Sequence, residues 1–353
     1  MLGVTAGSVR AYYLFDVADT IDLTAMGALG VRAHISPAYL QFPVPPLVAP
    51  LDDAEIAGMR CSSRVKIFDY GVISLRLSFD AAGSWNEYVA IAERVRSDER
   101  IAQFAETTVT DLCERYAHAL DDRHAPLVED YFLLEVDRFA EPIDAESLID
   151  DHAKELAAAL QGERSPLSAN ETEEALRTRF SYLEDDLTIV QWDTAFVYDR
   201  PESARAIEDI LEFANSQLLE LRTYDAQLDL ELDSIYKMQL EKSSPSLRGR
   251  REAEQASSLR YLIVDILELM DRSTNALKVV GDAYYARIYR TAAQRLGLAD
   301  WQGQVDSKLS NVSDMYQFLS DRARNRRDEF LEVIIIVLIA LELIVGVATL
   351  FHH

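Results

Sequence analysis

The chain has 353 residues, 49% of them hydrophobic and 27% charged, a globular balance with length enough for two folded units and an anchor. Its 60 acidic and 35 basic residues leave a net charge of -25, which disfavours direct nucleic-acid binding because phosphate contacts need clustered Lys and Arg. Cys61 and Cys113 form no CxxC pair and have no histidines at zinc spacing, so they suit a reducing cytosol and argue against a zinc site.

The first residues, MLGVTAGSVRAYYLF, carry neither a basic region leading into a long apolar run nor an Arg-rich amphipathic pattern, so no secretory signal or transit peptide is expected. Ser8 to Phe15 alternates in the manner of a half-buried strand, a short helix is expected from Asp19 to Met26, and Arg32 to Phe42 reads as extended. Arg64 to Phe79 gives two β-rich halves broken at Asp69-Tyr70-Gly71, which predicts a hairpin. Ser84 caps a helical pattern reaching His118. Tyr131 to Val136 returns to strand, Ala145 to Gln161 to helix, and Arg179 to Asp199 to two short strands around the acidic corner Glu184-Asp185-Asp186. Residues 1–200 therefore read as a mixed α+β soluble domain.

Residues 201–329 read as helical. Pro201 suits a first helical turn, and Ile207, Leu211, Leu218, Leu221, Leu228 and Leu232 follow a heptad rhythm. After a loop from Lys242 to Arg251, Ile263, Ile266, Met270 and Leu277 take it up again, predicting an antiparallel coiled-coil hairpin, and a third helix starts near Trp301. Each seam is expected to bury against its hairpin partner or against another copy of the chain, and homo-oligomerisation is favoured.

The tail, Phe330 to Phe351, reads FLEVIIIVLIALELIVGVATLF. At 1.5 Å per residue it reaches roughly 33 Å, enough to cross a bilayer core of about 30 Å, so residues 330–351 are expected to form one transmembrane helix. Arg322, Arg324, Arg326 and Arg327 before it set the direction, with the bulk of the chain in the cytoplasm. Glu342 would lie about 15 Å deep, where a charge costs at least ~2.5 kcal/mol, and is expected in a seam between spans or along a polar path.

The runs DDLTIVQWDTAFVYD (Asp185 to Asp199), ILEFANSQLLELRTYDAQLDLELDSIY (Ile210 to Tyr236), ALKVVGDAYYARIYRTAAQRLGLADW (Ala276 to Trp301) and RNRRDEFLEVIIIVLIALEL (Arg324 to Leu343), with FDYGVISL (Phe68 to Leu75), resemble the required-for-meiotic-nuclear-division family, YagE-like in its bacterial members. That resemblance implies a soluble domain, a coiled-coil hairpin and a C-terminal membrane anchor, homo-oligomers, and support of translation in mitochondrial members, with no catalytic motif. It places this chain as a single-pass protein of a bacterial plasma membrane.

No Walker loop, GxGxxG after a strand, HExxH or GxSxG occurs, and no catalytic, cofactor-binding or metal-ligating residue is assigned. Three weaker groupings are read as structural. His118 and His124 stand near Asp121 and Asp122, as at a polar helix end. Glu184, Asp185, Asp186 and Asp193 lack calcium-loop spacing and read as a solvated turn. Asp282, Tyr284, Tyr285, Arg287, Tyr289 and Arg290 form a polar aromatic band suited to packing between helices. A basic patch at Arg248, Arg250 and Arg251 reads as a loop tip.

The function expected from these features is a tail-anchored membrane scaffold that homo-oligomerises, contacts membrane lipid, and presents an acidic domain to a cytosolic or ribosome-associated protein. The alternatives are a pore or ion-conducting assembly around Glu342, and a membrane-tethered metal-dependent nuclease or phosphohydrolase using the acidic corner.

Overall fold

The computed structural model of the protein describes residues 2–27, 29, 40, 42, 44–163, 165–240 and 282–317, with scattered positions from 257 to 267 and at 335, 338 and 339. The chain divides into two compact units, Met1–Thr223 with Ser273–Trp301, and Tyr224–Arg272 with Gln302–His353.

The first unit is built on a nine-stranded mixed sheet. Its strands are β1 (Gly3–Ile21), β2 (Leu47–Ile56), β3 (Met59–Ile67), β4 (Val72–Asp80), β5 (Gly83–Ser84), β6 (Leu120–Phe139), β7 (Arg179–Phe180), β8 (Leu187–Val190) and β9 (Thr194–Tyr198). They lie in the order β2-β3-β4-β1-β6-β9-β8-β7, with β5 paired to β1. The β6–β9 pair is parallel and every other pair antiparallel. The hairpin expected over Arg64 to Phe79 forms as β3 and β4, and Gly71, at φ 95°, supplies the left-handed residue of its turn. The helix expected from Asp19 to Met26 does not form: β1 runs on to Ile21 because pairing with β6 continues through bulges to Ile21↔Leu120.

Alternation along the strands gives the sheet two different faces. On one, Val9, Ala11, Tyr13 and Phe15 of β1 join Val65, Ile67, Ile73, Leu75, Leu77, Phe132 and Leu134 in a continuous apolar core. Four helices complete that core: α1 (Trp85–Ser97), α2 (Glu99–Arg115), α3 (Ala145–Gln161) and α4 (Ala169–Leu176). Helix α1 starts where it does because Ser84 and Glu87 form a reciprocal capping box, and its Trp85, Tyr88, Ala92 and Val95 recur at helical spacing toward the sheet. Asp98 then ends α1 and caps α2, so the single helical pattern expected from Ser84 to His118 is two helices with a corner between them. Each fully buried Leu, Ile or Phe of this core contributes roughly 1.5–3 kcal/mol.

The opposite face carries Arg10, Tyr12 and Leu14 of β1, Arg64 and Lys66 of β3, Arg76 of β4 and Tyr131, Leu133 and Glu135 of β6. It is covered by the first part of α5 (Pro201–Leu240). A further helix, α6 (Ala283–Arg295), is capped at Asp282 and packs Tyr289 on Phe213 of α5, with ring centroids 5.8 Å apart.

The expected coiled-coil hairpin is overturned: among the described residues no long coiled-coil hairpin is present. A coiled-coil seam buries two positions in seven, whereas residues 210–221 of α5 are buried without a break. Ile207, Leu211, Leu218 and Leu221 keep their heptad spacing, but they sit in a helix enclosed by a mixed domain, with the sheet on its polar side. In the second unit Leu228 is buried and Leu232 half-buried, and Lys308, in a helix over 298–317, reaches Asp225 and Asp229 at 2.7 Å each. Ile263 is half-buried and Ile266 buried, while Met270 and Leu277 lie outside the described residues.

The expected single-pass membrane span and plasma-membrane placement are likewise not supported. Among the described residues no helix is long and apolar enough to cross a membrane. The stretch read as the span, residues 330–351, lies outside the described residues except for Ile335, Leu338 and Ile339, which are helical and exposed. Arg322, Arg324, Arg326, Arg327 and Glu342 also lie outside them, as does the patch at Arg248, Arg250 and Arg251.

Candidate functional site

Two polar constellations stand out in the first unit. The first is buried between the sheet and α5, where the Glu208 carboxylate, 1% exposed, meets three guanidinium groups from three strands. Arg64 Nη2 donates to Glu208 Oε1 at 2.8 Å and Arg76 Nη1 to the same oxygen at 2.9 Å, while Arg10 hydrogen-bonds the other oxygen. Arg10 Nη2 also donates to Glu135 Oε1 at 2.8 Å. One turn along α5, Lys66 Nζ lies 2.7 Å from Asp209 Oδ1 and hydrogen-bonds Glu212.

Four cations thus face four carboxylates, and the titration behaviour follows from their placement. Burial alone would push the Glu208 carboxyl upward, yet the guanidiniums of Arg10, Arg64 and Arg76 hold it far below the usual carboxylate range. For Glu135 burial wins: aided by Glu208 and Asp137, it lifts the carboxyl to about 7 against the single pull of Arg10. Burial works against the Lys66 ammonium too, but Asp209 and Glu212 keep it above the ordinary lysine value. A carboxylate saturated by three arginines is tied up as a structural counter-ion and has no proton to exchange near neutral pH.

The second constellation is open. A cleft of about 760 Å³ runs between the first turns of α3 and the β7–β8 connection, lined by residues that include Asp144, Glu146, Asp150 and Glu184 beside Ile149, Phe180, Leu183 and Leu187. Local hydrogen bonds shape it. Ala145 N donates to Glu184 O at 2.8 Å, tying the start of α3 to the acidic corner. Asp144 accepts from Ser147 N at 2.7 Å, and that backbone bond holds its carboxyl below the usual range. Asp186 is turned inward and accepts from Tyr182 N at 2.8 Å and Leu183 N at 2.6 Å, which presents Tyr182 and Leu183 outward at 71% and 49% exposure. Helix α6 backs this lip: the Tyr182 and Tyr284 rings lie 5.1 Å apart, and the Arg287 guanidinium stands 5.2 Å over Phe180. Next to it, burial raises the Asp199 carboxyl to about 6, against the Arg200 backbone N–H that it accepts.

The groupings noted in the sequence are redistributed. The acidic corner does not converge: Asp186 caps its own turn, Asp185 lies 3.4 Å from Arg200, and Asp193 pairs with Arg96 at 2.9 Å. Among the described residues no group of three His, Cys, Asp or Glu side chains is placed to hold a metal ion. His124 Nε2 lies 3.3 Å from Asp16 of β1, away from Asp121 and Asp122, while His118 sits by the Tyr116 ring. Of the aromatic band, Tyr284 and Arg287 serve the cleft lip, Tyr289 is buried and hydrogen-bonds Gln217, and Arg290 bonds the Ala286 carbonyl. Sequence reading missed Arg10, Arg64, Lys66 and Arg76. Their signal was a basic residue at alternate strand positions opposite Val65, Ile67 and Leu75, matched by Glu208 and Glu212 four residues apart inside an apolar helix.

A family model described as "Uncharacterized protein MJ0711, N-terminal domain" matches residues 6–204. The chain belongs to that family. Over 211 residues it is also 27% identical to "Uncharacterized protein MJ0711" of Methanocaldococcus jannaschii, an alignment that covers 60% of this chain and 64% of that relative. The resemblance to the meiotic-nuclear-division family is thereby corrected, and the C-terminal membrane anchor that it implied has no support among the described residues. Of the runs that carried the resemblance, Phe68 to Leu75 and Asp185 to Asp199 lie inside the matched residues and contribute to β4, β8 and β9, and the other three lie beyond them. The matched residues take in the sheet from residue 6 onward, the cleft and all four buried cations, and the match ends at residue 204, just inside α5.

Proposed function

We propose that this protein is a binding module that takes up a basic, amphipathic segment of a partner protein in the cleft between α3 and the β7–β8 connection. The observation that carries this reading is the join of an apolar floor, Ile149, Phe180 and Leu187, to a rim on which Glu146, Asp150 and Glu184 outnumber the one cation of the lining, Arg179, which donates to the Leu176 carbonyl at 3.0 Å. Floor and rim together match a segment with one apolar and one cationic face. The exposed Tyr182 ring offers the aromatic anchor that interfaces favour, and the chain's net charge of -25 speeds encounter with a cationic partner.

The test is fluorescence anisotropy with a labelled peptide carrying lysines and leucines at helical spacing, beside a control with glutamates in place of the lysines. The lysine peptide is expected to bind, and Asp150→Lys or Glu184→Lys to weaken it at least tenfold, about 1.4 kcal/mol. Equal binding of the glutamate peptide, or indifference to both substitutions, overturns the reading.

A further inference from the structure

The cleft between α3 and the β7–β8 connection carries its charge in a fixed pattern. Glu146 and Asp150 stand four residues apart on the exposed side of α3, and the exposed Glu184 belongs to the other wall. Among the described residues none of these three carboxylates is engaged in an ion pair. Their neighbours Asp144, Asp185 and Asp186, by contrast, are each held by a backbone N–H or by Arg200. Three negative charges are therefore left over beside Ile149, Phe180 and Leu187. The same lip already receives one arginine: the Arg287 guanidinium of α6 stands 5.2 Å over the Phe180 ring and 5.5 Å over the Tyr284 ring.

An occupant that fits this pattern carries cations four residues apart with apolar side chains next to them. Arginine suits it better than lysine, because its planar fork meets a carboxylate through two hydrogen bonds and also stacks on a ring. The chain holds such a segment outside the described residues. From Phe318 to Leu331 it reads FLSDRARNRRDEFL, with Arg322 and Arg326 four apart and four arginines from Arg322 to Arg327 uninterrupted by a carboxylate. At helical spacing Leu319, Ala323 and Phe330 fall on one stripe with Arg326, and Arg322 and Arg327 lie to its two sides. The other arginine-rich stretch, Arg248 to Arg251, has no two arginines four apart, is broken by Gly249 and has no aromatic neighbour. Charge, spacing and apolar flanks thus single out the segment from Phe318 to Leu331.

We infer that the cleft takes up the Phe318 to Leu331 segment of a second copy of this chain, and that two copies exchange the segment reciprocally about a two-fold axis. The inference rests on the cleft reading above and names the partner. In its own chain the segment is tethered: the helix over 298–317 is tied within the second unit by Lys308 to Asp225 and Asp229, at 2.7 Å each. Arg322 then stays within roughly 18 Å of Gln317, five residues at full extension. A second copy brings the segment to the cleft free of that tether. Reciprocal exchange makes both contacts and closes the pair, whereas one-way docking leaves a cleft and a segment open to add further copies.

Sedimentation equilibrium of the full chain tests this. The wild type is expected to be a dimer, and either Arg322→Glu/Arg326→Glu or Glu146→Lys/Asp150→Lys to raise its dissociation constant at least tenfold. Mixing the two variants in equal amounts is expected to restore the dimer, because each segment then meets a cleft of opposite charge in the other copy. A wild type that stays monomeric, a dimer indifferent to both reversals, or a mixture no tighter than its separate variants overturns the proposal. In a second measurement a labelled synthetic peptide of residues 318–331 is titrated into the Arg322→Glu/Arg326→Glu protein. It is expected to bind, and to fail when it carries the same two reversals. Its failure where the lysine peptide still binds overturns the segment and leaves the cleft reading standing; failure of both peptides overturns the two together.

Discussion

Arg64 Nη2 and Glu208 Oε1 meet across 2.8 Å, joining a strand to a helix 144 residues further along the chain. Arg76 reaches the same oxygen at 2.9 Å, so a single carboxylate ties together β3, β4 and α5. Replacing Glu208 with Leu leaves Arg10, Arg64 and Arg76 gathered without their counter-charge. The expected loss is about 3–5 kcal/mol of unfolding free energy, read as a lower urea midpoint at unchanged slope. A loss below about 1 kcal/mol would mean that the arginines find water or other partners in the folded chain.

Glu135 makes the stability pH-dependent in a direction opposite to most carboxylates. Its carboxyl is raised to about 7 in the folded chain from an ordinary value of 4.5, so between those values the folded state holds a proton that the unfolded state has released. Stability from this group is therefore full below pH 4.5 and declines as pH rises to about 7. Glu135→Gln should flatten that decline, seen as a smaller difference in Tm between pH 5 and pH 7 than in the wild type. An identical pH slope in the two proteins would contradict the placement of this carboxyl.

His124 contributes a second, independent slope. The hydrogen bond to Asp16 raises its pKa above 6.5 despite partial burial. The pairing therefore stabilises fully below 6.5 and is lost as pH rises through the raised value. Asp16→Asn should return the imidazole toward its ordinary value, followed by NMR titration of its ring protons. An unmoved midpoint would show that Asp16 does not hold the ring.

Two glycines should respond to alanine in opposite senses. Gly71 sits at φ 95°, and a Cβ there would lie 1.8 Å from the Ala18 carbonyl oxygen, backbone that cannot step aside because Val17 N bonds Gly71 O at 3.1 Å. Gly71→Ala should cost several kcal/mol, on the order of a severe core defect. Gly303 lies in the helix over 298–317 with open space around its Cβ position, so Gly303→Ala should stabilise by about 0.5–1 kcal/mol. Thermal melts of the two variants check both signs.

The parts of the fold that were legible from sequence are those whose cause is local. The Asp69-Tyr70-Gly71 turn, the Ser84 cap and the helix from Ala145 each carry their instruction within a few residues. The full length of β1 was hidden because only Ser8 to Phe15 alternates cleanly, while the strand beyond is held by bulged pairing with β6, which begins about a hundred residues away. The heptad in α5 misled because a regularly spaced apolar stripe looks the same whether it meets another helix or lies in a helix buried on every side; Glu208, Glu212, Asn215 and Ser216, buried with it, marked the difference. The cleft was half legible. Its acidic corner stood out, but the carboxylates of Glu146 and Asp150 join Glu184 only because Ala145 N bonds the Glu184 carbonyl.

Zero-length carbodiimide cross-linking between the lysine peptide and the full chain, mapped by mass spectrometry, tests the central claim most directly, because a chain with 60 acidic residues offers many competing carboxylates. Recognition by the cleft predicts linkages concentrated on Glu146, Asp150 and Glu184, removed by excess unlabelled peptide. Linkages spread over exposed carboxylates elsewhere, such as Glu99 and Asp111 of α2, would show attraction by net charge alone and contradict the cleft as a binding site.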